Sequence, residues 1–284
     1  MSTPTVADPA VAPAATPDTS GPAAGTPRSA KGRAVALRIG LPLIVGVVLL
    51  AAWQILTARE LVSPLLLPEP SDVWSALDTG IVEGTWWIDV RVTLAEMIIG
   101  FAIGVVSGLV LGALFAYSSL SRIALYPYVV ALQSFPKIAV APLLVVALGY
   151  GMSPKIAVAA SLAYFPVMTA AIAGFTEIDK DEHNFMRSIG ASKWHEMRYI
   201  RLPNAMSYLF PSFDVALIVA LLGAVAAELV GSDAGLGYVL VERQAFGDTA
   251  AIFAALIVLA VIGVVLQALV VLIRRLLPRS IVPR

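Results

Sequence analysis

The chain has 284 residues, of which 59% are hydrophobic and only 13% are charged. Soluble domains carry about 25% charged residues, so this chain has too little polar surface to cover a globule in water. The net charge of zero gives no support for nucleic-acid binding, and the lack of cysteine excludes disulfides and thiolate metal sites. The composition predicts an integral membrane protein.

Residues 1–33 differ in kind from the rest of the chain. They are rich in Pro, Ala, Thr, Ser and Gly and have no apolar periodicity, as is typical of disordered segments. A cleavable signal is excluded because the basic cluster follows this segment and the first apolar stretch is long enough to span a membrane. The sequence predicts a disordered cytoplasmic tail over 1–33 and one membrane domain over 34–284.

Six apolar stretches follow the tail. About 20 mainly apolar residues are needed for a helix to cross the roughly 30 Å of hydrocarbon in a bilayer. Each stretch meets that length, which predicts an all-α protein with six transmembrane helices. We place the spans near 36–57, 92–117, 124–148, 155–177, 206–230 and 250–273.

The segment 62–90 between the first two spans is of another kind. Its prolines are followed by Ser71 and Asp72, either of which suits a helix N-cap. The pattern predicts a short interfacial helix, with three tryptophans at headgroup level where amphipathic rings collect. These are Trp74, Trp86 and Trp87.

Glycines recur every four residues in the second span. Small residues repeated on one helix face allow a neighbouring helix to approach closely. The pattern therefore predicts helix packing rather than ligand contact. The glycines are Gly100, Gly104, Gly108 and Gly112.

The third span is interrupted by prolines and polar residues. Pro136 lies between Gln133 and Lys137, and a proline inside a membrane helix leaves a backbone carbonyl that neighbouring helices or water must satisfy. Such a break is expected to line a cavity. Gln133 and Lys137 are therefore candidates for the translocation pathway.

The long polar segment 178–203 lies between the fourth and fifth spans. It mixes charged residues with Phe, Ile, Trp and Tyr and is divided at Gly190. This composition predicts two short amphipathic helices separated by a turn at Gly190, with Pro203 in the first turn of the next span. An ordered amphipathic element at the membrane face indicates docking to a soluble partner.

Lysine and arginine are distributed unevenly. With six spans, fourteen of the nineteen basic residues flank the spans on one side, in the segment before span one, the loops after spans two and four, and the C-terminus. The positive-inside rule makes that side cytoplasmic, so both termini and the loop 178–203 are predicted there.

Ionisable residues inside spans are candidates for function because they are expensive to hold in a membrane. Glu228 ends the fifth span and is followed by a glycine-rich segment, which makes it a pathway candidate that more plausibly holds a helix end or gate than binds an anion. Glu96 and Asp214 are also candidates for function, and a structural pairing with another residue is the alternative. Phosphate-binding loops, HExxH motifs and Ser-His-Asp patterns are absent, so the chain is not predicted to be an enzyme.

The end of the polar loop resembles a family motif. Gly190, nine further residues and then Ile200-Arg201-Leu202-Pro203 resemble the Gly-x9-Ile-x-Leu-Pro motif of bacterial ABC importer permeases. Asn184-Phe185-Met186 stands where that family often has Glu-Ala-Ala. The segments 132–139, 165–167 and 227–238 look like the nitrate/sulfonate/taurine branch, and the resemblance covers about 60–277.

The resemblance implies a multi-pass protein of the bacterial inner membrane. It implies a homodimer in membrane lipid, two cytoplasmic ABC ATPase subunits and an extracytoplasmic substrate-binding protein. ATP and Mg²⁺ would bind the ATPase, so no cofactor or metal is expected on this chain. The residues expected to couple to the ATPase are Arg187, Gly190, Ala191, Ser192, Trp194, Ile200, Leu202 and Pro203.

The substrate remains open at this level. A sulfonate, taurine or nitrate fits the resemblance best, and a thiamine-type pyrimidine precursor or an aromatic carboxylate is the alternative. A secondary transporter is the main rival class, but such proteins typically show internal repeats and buried ion-coupling charges. No convincing repeat is present, and an assembly protein would not explain the loop that ends in Ile-x-Leu-Pro.

Overall fold

The computed structural model describes residues 28–276, without the side chains of residues 28–39 and of His183. Within that range the secondary structure is helical and contains no strand. The helices are α1 (Arg28–Ala58), α2 (Pro70–Leu77), α3 (Trp87–Tyr117), α4 (Ser119–Gln133), α5 (Ala141–Leu148), α6 (Met152–Thr176), α7 (Lys180–Ser188), α8 (Lys193–Glu196), α9 (Leu202–Glu228), α10 (Leu236–Ala245) and α11 (Thr249–Leu276). The predicted tail 1–33 lies mostly outside the described residues.

The chain divides into two compact units, residues 1–51 and residues 52–284. The described part of the first unit belongs to α1, and most of its side chains from Gly40 onward are apolar and exposed. The second unit contains the remaining helices. There, Trp53 at the end of α1 donates its indole N–H to the Pro68 carbonyl (2.9 Å) and its ring lies 6.0 Å from that of Phe253.

Five helical stretches are long and apolar enough to cross a membrane. They are Gly40–Ala58, Trp87–Tyr117, Met152–Thr176, Lys193–Glu228 and Thr249–Leu276. The predicted third span is instead a bent pair, in which α4 meets the segment Lys137–Leu148 at 80°. Pro136 lies at the bend, where it removes a donor and disfavours helical geometry at the residue before it.

The helices α3 and α6 pack with their backbones almost in contact. A Cβ atom on Gly104 would lie 2.6 Å from Ala163 Cβ, and one on Gly112 would lie 2.5 Å from Ala171 Cβ. Gly100 faces Ala159 and Gly108 faces the Tyr164 carbonyl in the same way. All four glycines of the stripe therefore lie against α6, and only hydrogen atoms fit between the two helices there.

This packing fixes the helix directions. Successive glycines along α3 meet successive residues along α6, so the two helices run in parallel. The segment between them, α4 and α5, must therefore connect opposite ends of the pair. In contrast, α9 runs antiparallel to α6, because Gly174 meets Ala205 while Gly223 meets Ala159.

The segment before α3 differs from the prediction in two respects. Glu69, rather than Ser71 or Asp72, is the N-cap of α2, because Pro70 occupies the first turn, where a missing N–H costs nothing. Trp86 is buried rather than at a surface, since its ring packs over Gly80 and joins a core with α10 and α11. Trp74 and Trp87 are exposed as expected.

The glycine stripe makes a testable prediction. Gly104→Ala should lower the thermal unfolding midpoint of the purified protein in detergent, because the added methyl overlaps Ala163 and overpacking costs about 1–3 kcal/mol. Gly263→Ala in α11 is the control, since its methyl would sit 3.7 Å from the nearest atom of Leu221. We expect that control to match the wild type. Equal midpoints for the two variants would contradict close α3–α6 packing.

Candidate functional site

The turn at Gly190 is built by local hydrogen bonds. Asp179 caps α7 by accepting from the Asp181 N–H (2.8 Å). At the other end the Gly190 N–H donates to the Arg187 carbonyl (3.1 Å) and the Ala191 N–H donates to the Met186 carbonyl (3.0 Å). These two bonds form a Schellman motif, which requires a left-handed residue, and Gly190 has φ of +69°.

The chain beyond the turn does not form the separate second short helix that was predicted. Ser192 caps α8, accepting from the His195 N–H (3.4 Å), and the helix then continues through a π turn at Met197–Arg201 into α9. The whole stretch Lys193–Glu228 has 36 residues, or about 54 Å at 1.5 Å per residue. Pro203 lies in the first turn of α9, just after the π turn.

Arg201 connects the helical stretch Lys193–Glu228 to the end of α6 by hydrogen bonds. Its Nη1 donates to the Phe175 carbonyl (2.8 Å), and its Nε and Nη2 both donate to Glu196 Oε1 (3.0 and 2.6 Å). Asn204 Nδ2 donates to the Gly174 and Glu177 carbonyls (2.9 and 2.7 Å). The last carbonyls of a helix have no partner within it, so these two side chains satisfy the end of α6.

The loop also presents exposed apolar side chains. Trp194 is 69% exposed, and Phe185, Ile189 and Tyr199 are each at least 60% exposed. Beside Trp194 lies a cleft of about 650 Å³ whose other walls include Tyr117 at the end of α3. Apolar side chains exposed on ordered helices are typical of an interface. The remaining predicted coupling residues, Arg187, Ile200 and Leu202, lie in or beside the same segment.

At the opposite end of α9, the side chain of Glu228 caps the N-terminus of α10. It is 1% exposed, and its Oε1 accepts from Thr93 Oγ1 (2.7 Å) while its Oε2 accepts from the Gly237 N–H (2.6 Å). Thr93 Oγ1 in turn accepts from the Leu236 N–H (2.8 Å), and Asp89 accepts from the Gly235 N–H (2.8 Å). Side chains of α3 and α9 therefore occupy the first N–H groups of α10.

Glycine is needed where α10 meets this carboxylate. A Cβ atom on Gly235 would lie 2.5 Å from Glu228 Cδ, and one on Gly237 would lie 2.6 Å from Glu228 Cβ. Gly235 also has φ of +111°. The glycine-rich segment after Glu228 thus allows the backbone to close over the carboxylate. Sequence reasoning singled out Glu228 but missed Thr93 and Asp89, which lie 135 and 139 positions away along the chain.

Two further buried ionisable side chains lie in α3 and α6. Lys155 is 1% exposed and donates to the Tyr150 and Gly151 carbonyls (2.6 and 3.1 Å). Glu96 is also 1% exposed, and its Oε2 has no hydrogen-bond partner in the described part of the chain. Lys155 begins the span predicted over 155–177 and has no predicted role. The sequence signal for it is a lysine directly beside an apolar stretch.

The break between α4 and α5 borders a second cleft, of about 490 Å³. The structure brings Gln133 and Lys137 together here, since Lys137 Nζ donates to Gln133 Oε1 and lies 5.3 Å from the centre of the Tyr164 ring. Glu228 is not among the lining residues. The cleft, called the α4 cleft below, is lined by Ser107, Leu111, Val129, Leu132, Phe135, Lys137, Ala160, Ser161 and Tyr164.

These features can be compared with known proteins. Residues 100–282 match the family model described as the inner membrane component of binding-protein-dependent transport systems. The chain belongs to this family. It is therefore a multi-pass protein of the bacterial inner membrane and the permease subunit of an ABC importer, a membrane subunit that is not itself an enzyme.

Two relatives and one solved structure show how similar this chain is to known transport proteins. The chain is 30% identical to the putative aliphatic sulfonates transport permease protein SsuC of Bacillus subtilis, covering 82% of this chain and 84% of the relative. It is 32% identical to the riboflavin transport system permease protein RibX of Chloroflexus aurantiacus, covering 85% and 90%. An inward-facing structure of the MetNI methionine ABC transporter shares the fold, with a TM-score of 0.57 at 21% identity over 66% of this chain and 93% of that chain.

The Schellman turn makes a prediction about coupling. Gly190→Val should impair substrate uptake and ATPase stimulation in the assembled complex, because a β-branched residue is strained at φ of +69° although nothing lies within 4 Å of the site. Gly190→Asn is the matched control, since Asn tolerates this conformation. Both variants should insert into the membrane normally. Full uptake by the Val variant would remove this turn from coupling.

The cap at Glu228 makes a separate prediction about stability. Glu228→Ala should lower the unfolding free energy by about 3 kcal/mol, because two hydrogen bonds to a buried carboxyl group are lost and their buried donors are left unpaired. Glu228→Gln should have a smaller effect, since the amide keeps one acceptor. Thermal unfolding in detergent measures both, with Glu242→Gln at a partly exposed ion pair as a near-neutral control. A wild-type midpoint for Glu228→Ala would show that the cap is dispensable.

Proposed function

We propose that two copies of this chain form the membrane pathway of an importer for a small organic anion of the sulfonate type. Two ABC ATPase subunits would bind ATP and Mg²⁺ and dock on the cytoplasmic side, and an extracytoplasmic binding protein would deliver the substrate. Each copy would cross the membrane six times, with α4 and α5 together as one broken span. Both termini and the segment 178–203 would be cytoplasmic, in agreement with the charge distribution.

The helical directions support the six-span count. Because α3 and α6 are parallel, the chain between them has to return from one end of the pair to the other. The bent α4–α5 pair is the segment available to make that crossing. A re-entrant loop that entered and left on one side would place α6 antiparallel to α3.

The ATPase would dock on the exposed side chains of α7 and α8. These helices are ordered by the Schellman turn and by the Arg201 hydrogen bonds, so a force on Trp194 acts on a fixed structure rather than on a flexible loop. It would be transmitted along the continuous helix Lys193–Glu228 and, through Arg201 and Asn204, to α6. Closure of the ATPase pair would thereby rotate the packed helices and alter access to the pathway, as in other hinged two-state systems.

The single observation that carries the substrate class is the charge of the α4 cleft. Among the described residues, Lys137 is the one charged residue that lines it, and no carboxylate does. An anion is therefore the ligand that this cleft attracts. A relative named for aliphatic sulfonates agrees with that charge, whereas another relative is named for riboflavin, a neutral molecule.

Uptake by the assembled complex tests this proposal. The permease would be co-expressed with its ATPase and binding protein, reconstituted in proteoliposomes, and supplied with labelled sulfonates, nitrate, riboflavin or a pyrimidine precursor, with ATP inside. We expect ATP-dependent accumulation of a sulfonate and no accumulation without the ATPase. Accumulation of riboflavin or the pyrimidine, with none of any sulfonate, would overturn the substrate class.

A further inference from the structure

We propose that the α4 cleft is a transient binding site for an anion that carries an apolar group, with Lys137 as the anchor of the anionic head. This inference rests on the proposed function and makes it more specific. It separates apolar-tailed sulfonates from taurine and nitrate. Selection by the binding protein would come first, and this site would receive the released substrate within the membrane.

The ammonium of Lys137 is held in place but is not saturated. It has three N–H donors, and its one hydrogen bond within the described part of the chain goes to Gln133 Oε1. Its position 5.3 Å from the centre of the Tyr164 ring adds a cation–π contact that leaves the charge in place. Two donors therefore remain for the oxygens of a ligand. Since no carboxylate lines the cleft, the positive charge is available to a bound anion.

The rest of the cleft is apolar. Its walls include Leu111, Val129, Leu132 and Phe135. Although two serines also line it, Ser107 Oγ donates to the Ile103 carbonyl (2.8 Å) and Ser161 Oγ donates to the Val158 carbonyl (2.7 Å). Their hydroxyl protons are thus already engaged. Beyond Lys137, the cleft offers contact area to a hydrocarbon group, and its volume lies within the roughly 300–1,000 Å³ of ordinary ligand sites.

This combination discriminates among the candidate anions. Taurine carries an ammonium group, which would find no carboxylate in the lining and would be repelled by Lys137. Nitrate satisfies the cation but buries no hydrocarbon. An alkyl or aryl sulfonate satisfies both parts of the cleft, and each methylene buried against the apolar wall should tighten binding roughly threefold to fourfold.

The wall formed by α4 suits brief occupancy. None of the side chains of α4 is buried, whereas α3 and α6 are fixed to each other by the glycine stripe. Movement of α4 away from α6 would open the cleft and would break only the contacts that the half-buried Tyr126 and Val129 make with the cluster of Phe115, Met168 and Ile172. A site with one mobile wall can release its ligand, as transport requires.

Equilibrium binding to the complete permease–ATPase complex in lipid nanodiscs, without the binding protein, tests the proposal. The probes are labelled ethanesulfonate, hexanesulfonate and taurine. We expect hexanesulfonate to bind more tightly than ethanesulfonate, and taurine to bind more weakly than either. Lys137→Gln should weaken hexanesulfonate binding at least tenfold, whereas Lys137→Arg should retain most of it. Leu132→Gln should reduce the advantage of the longer chain.

Arg122→Gln is the charge control, because Arg122 lies exposed on α4 but outside the cleft. For each variant, a wild-type elution volume and a wild-type thermal unfolding midpoint separate a binding defect from misfolding. Wild-type binding by Lys137→Gln, or equal binding of the two chain lengths, would overturn the site. If Lys137→Gln still imports sulfonate with unchanged kcat and KM, the site is refuted while the proposed function stands. If the wild-type complex imports no sulfonate at all, the proposed function itself is wrong.

Discussion

The close contact between α3 and α6 determines most of this structure. Glycines at four-residue spacing bring two backbones together without side chains between them, and a membrane helix pair gains its stability from such dispersion contacts because lipid provides no hydrophobic drive. The same contact makes the two helices parallel. The chain between them is then obliged to return across the pair, and the bent α4–α5 segment makes that connection. The α4 cleft exists because this connection is broken at Pro136 rather than packed as a straight helix.

Small residues extend the close packing to α9. Gly174 and Gly223 of α6 and α9 meet Ala205 and Ala159, so α3, α6 and α9 form a compact group. Each end of the group is closed by polar side chains. Arg201 and Asn204 bind the last carbonyls of α6, and Glu228 with Thr93 binds the first N–H groups of α10. Both devices satisfy backbone groups that helix ends leave unpaired, and both tie distant parts of the sequence together.

The sequence predicted the features that depend on local pattern. Span positions, the glycine stripe and the turn at Gly190 all follow from composition, four-residue spacing or the absence of a Cβ atom. The sequence did not predict that two helices are continuous, nor which side chains bond each other across helices. The loop helix after Ser192 continues into α9, since a π turn absorbs the effect of Pro203 that a sequence pattern treats as a boundary. Likewise, nothing local to Thr93 shows that it bonds Glu228, because that pairing depends on how α3, α9 and α10 meet.

We propose that the packed group α3–α6–α9 moves as one body when an ATPase acts on it, while α4 moves against it. Because the chain has no cysteine, pairs of cysteines can be introduced and spin-labelled at chosen exposed sites, with one labelled copy of the chain per complex. Distance distributions by double electron–electron resonance would compare Val106–Ile218, within the group, with Val106–Tyr128, between α3 and α4, in nucleotide-free and ATP-trapped complexes. We expect the Val106–Ile218 distance to stay the same and the Val106–Tyr128 distance to shift. A shift confined to Val106–Ile218 would contradict the proposal.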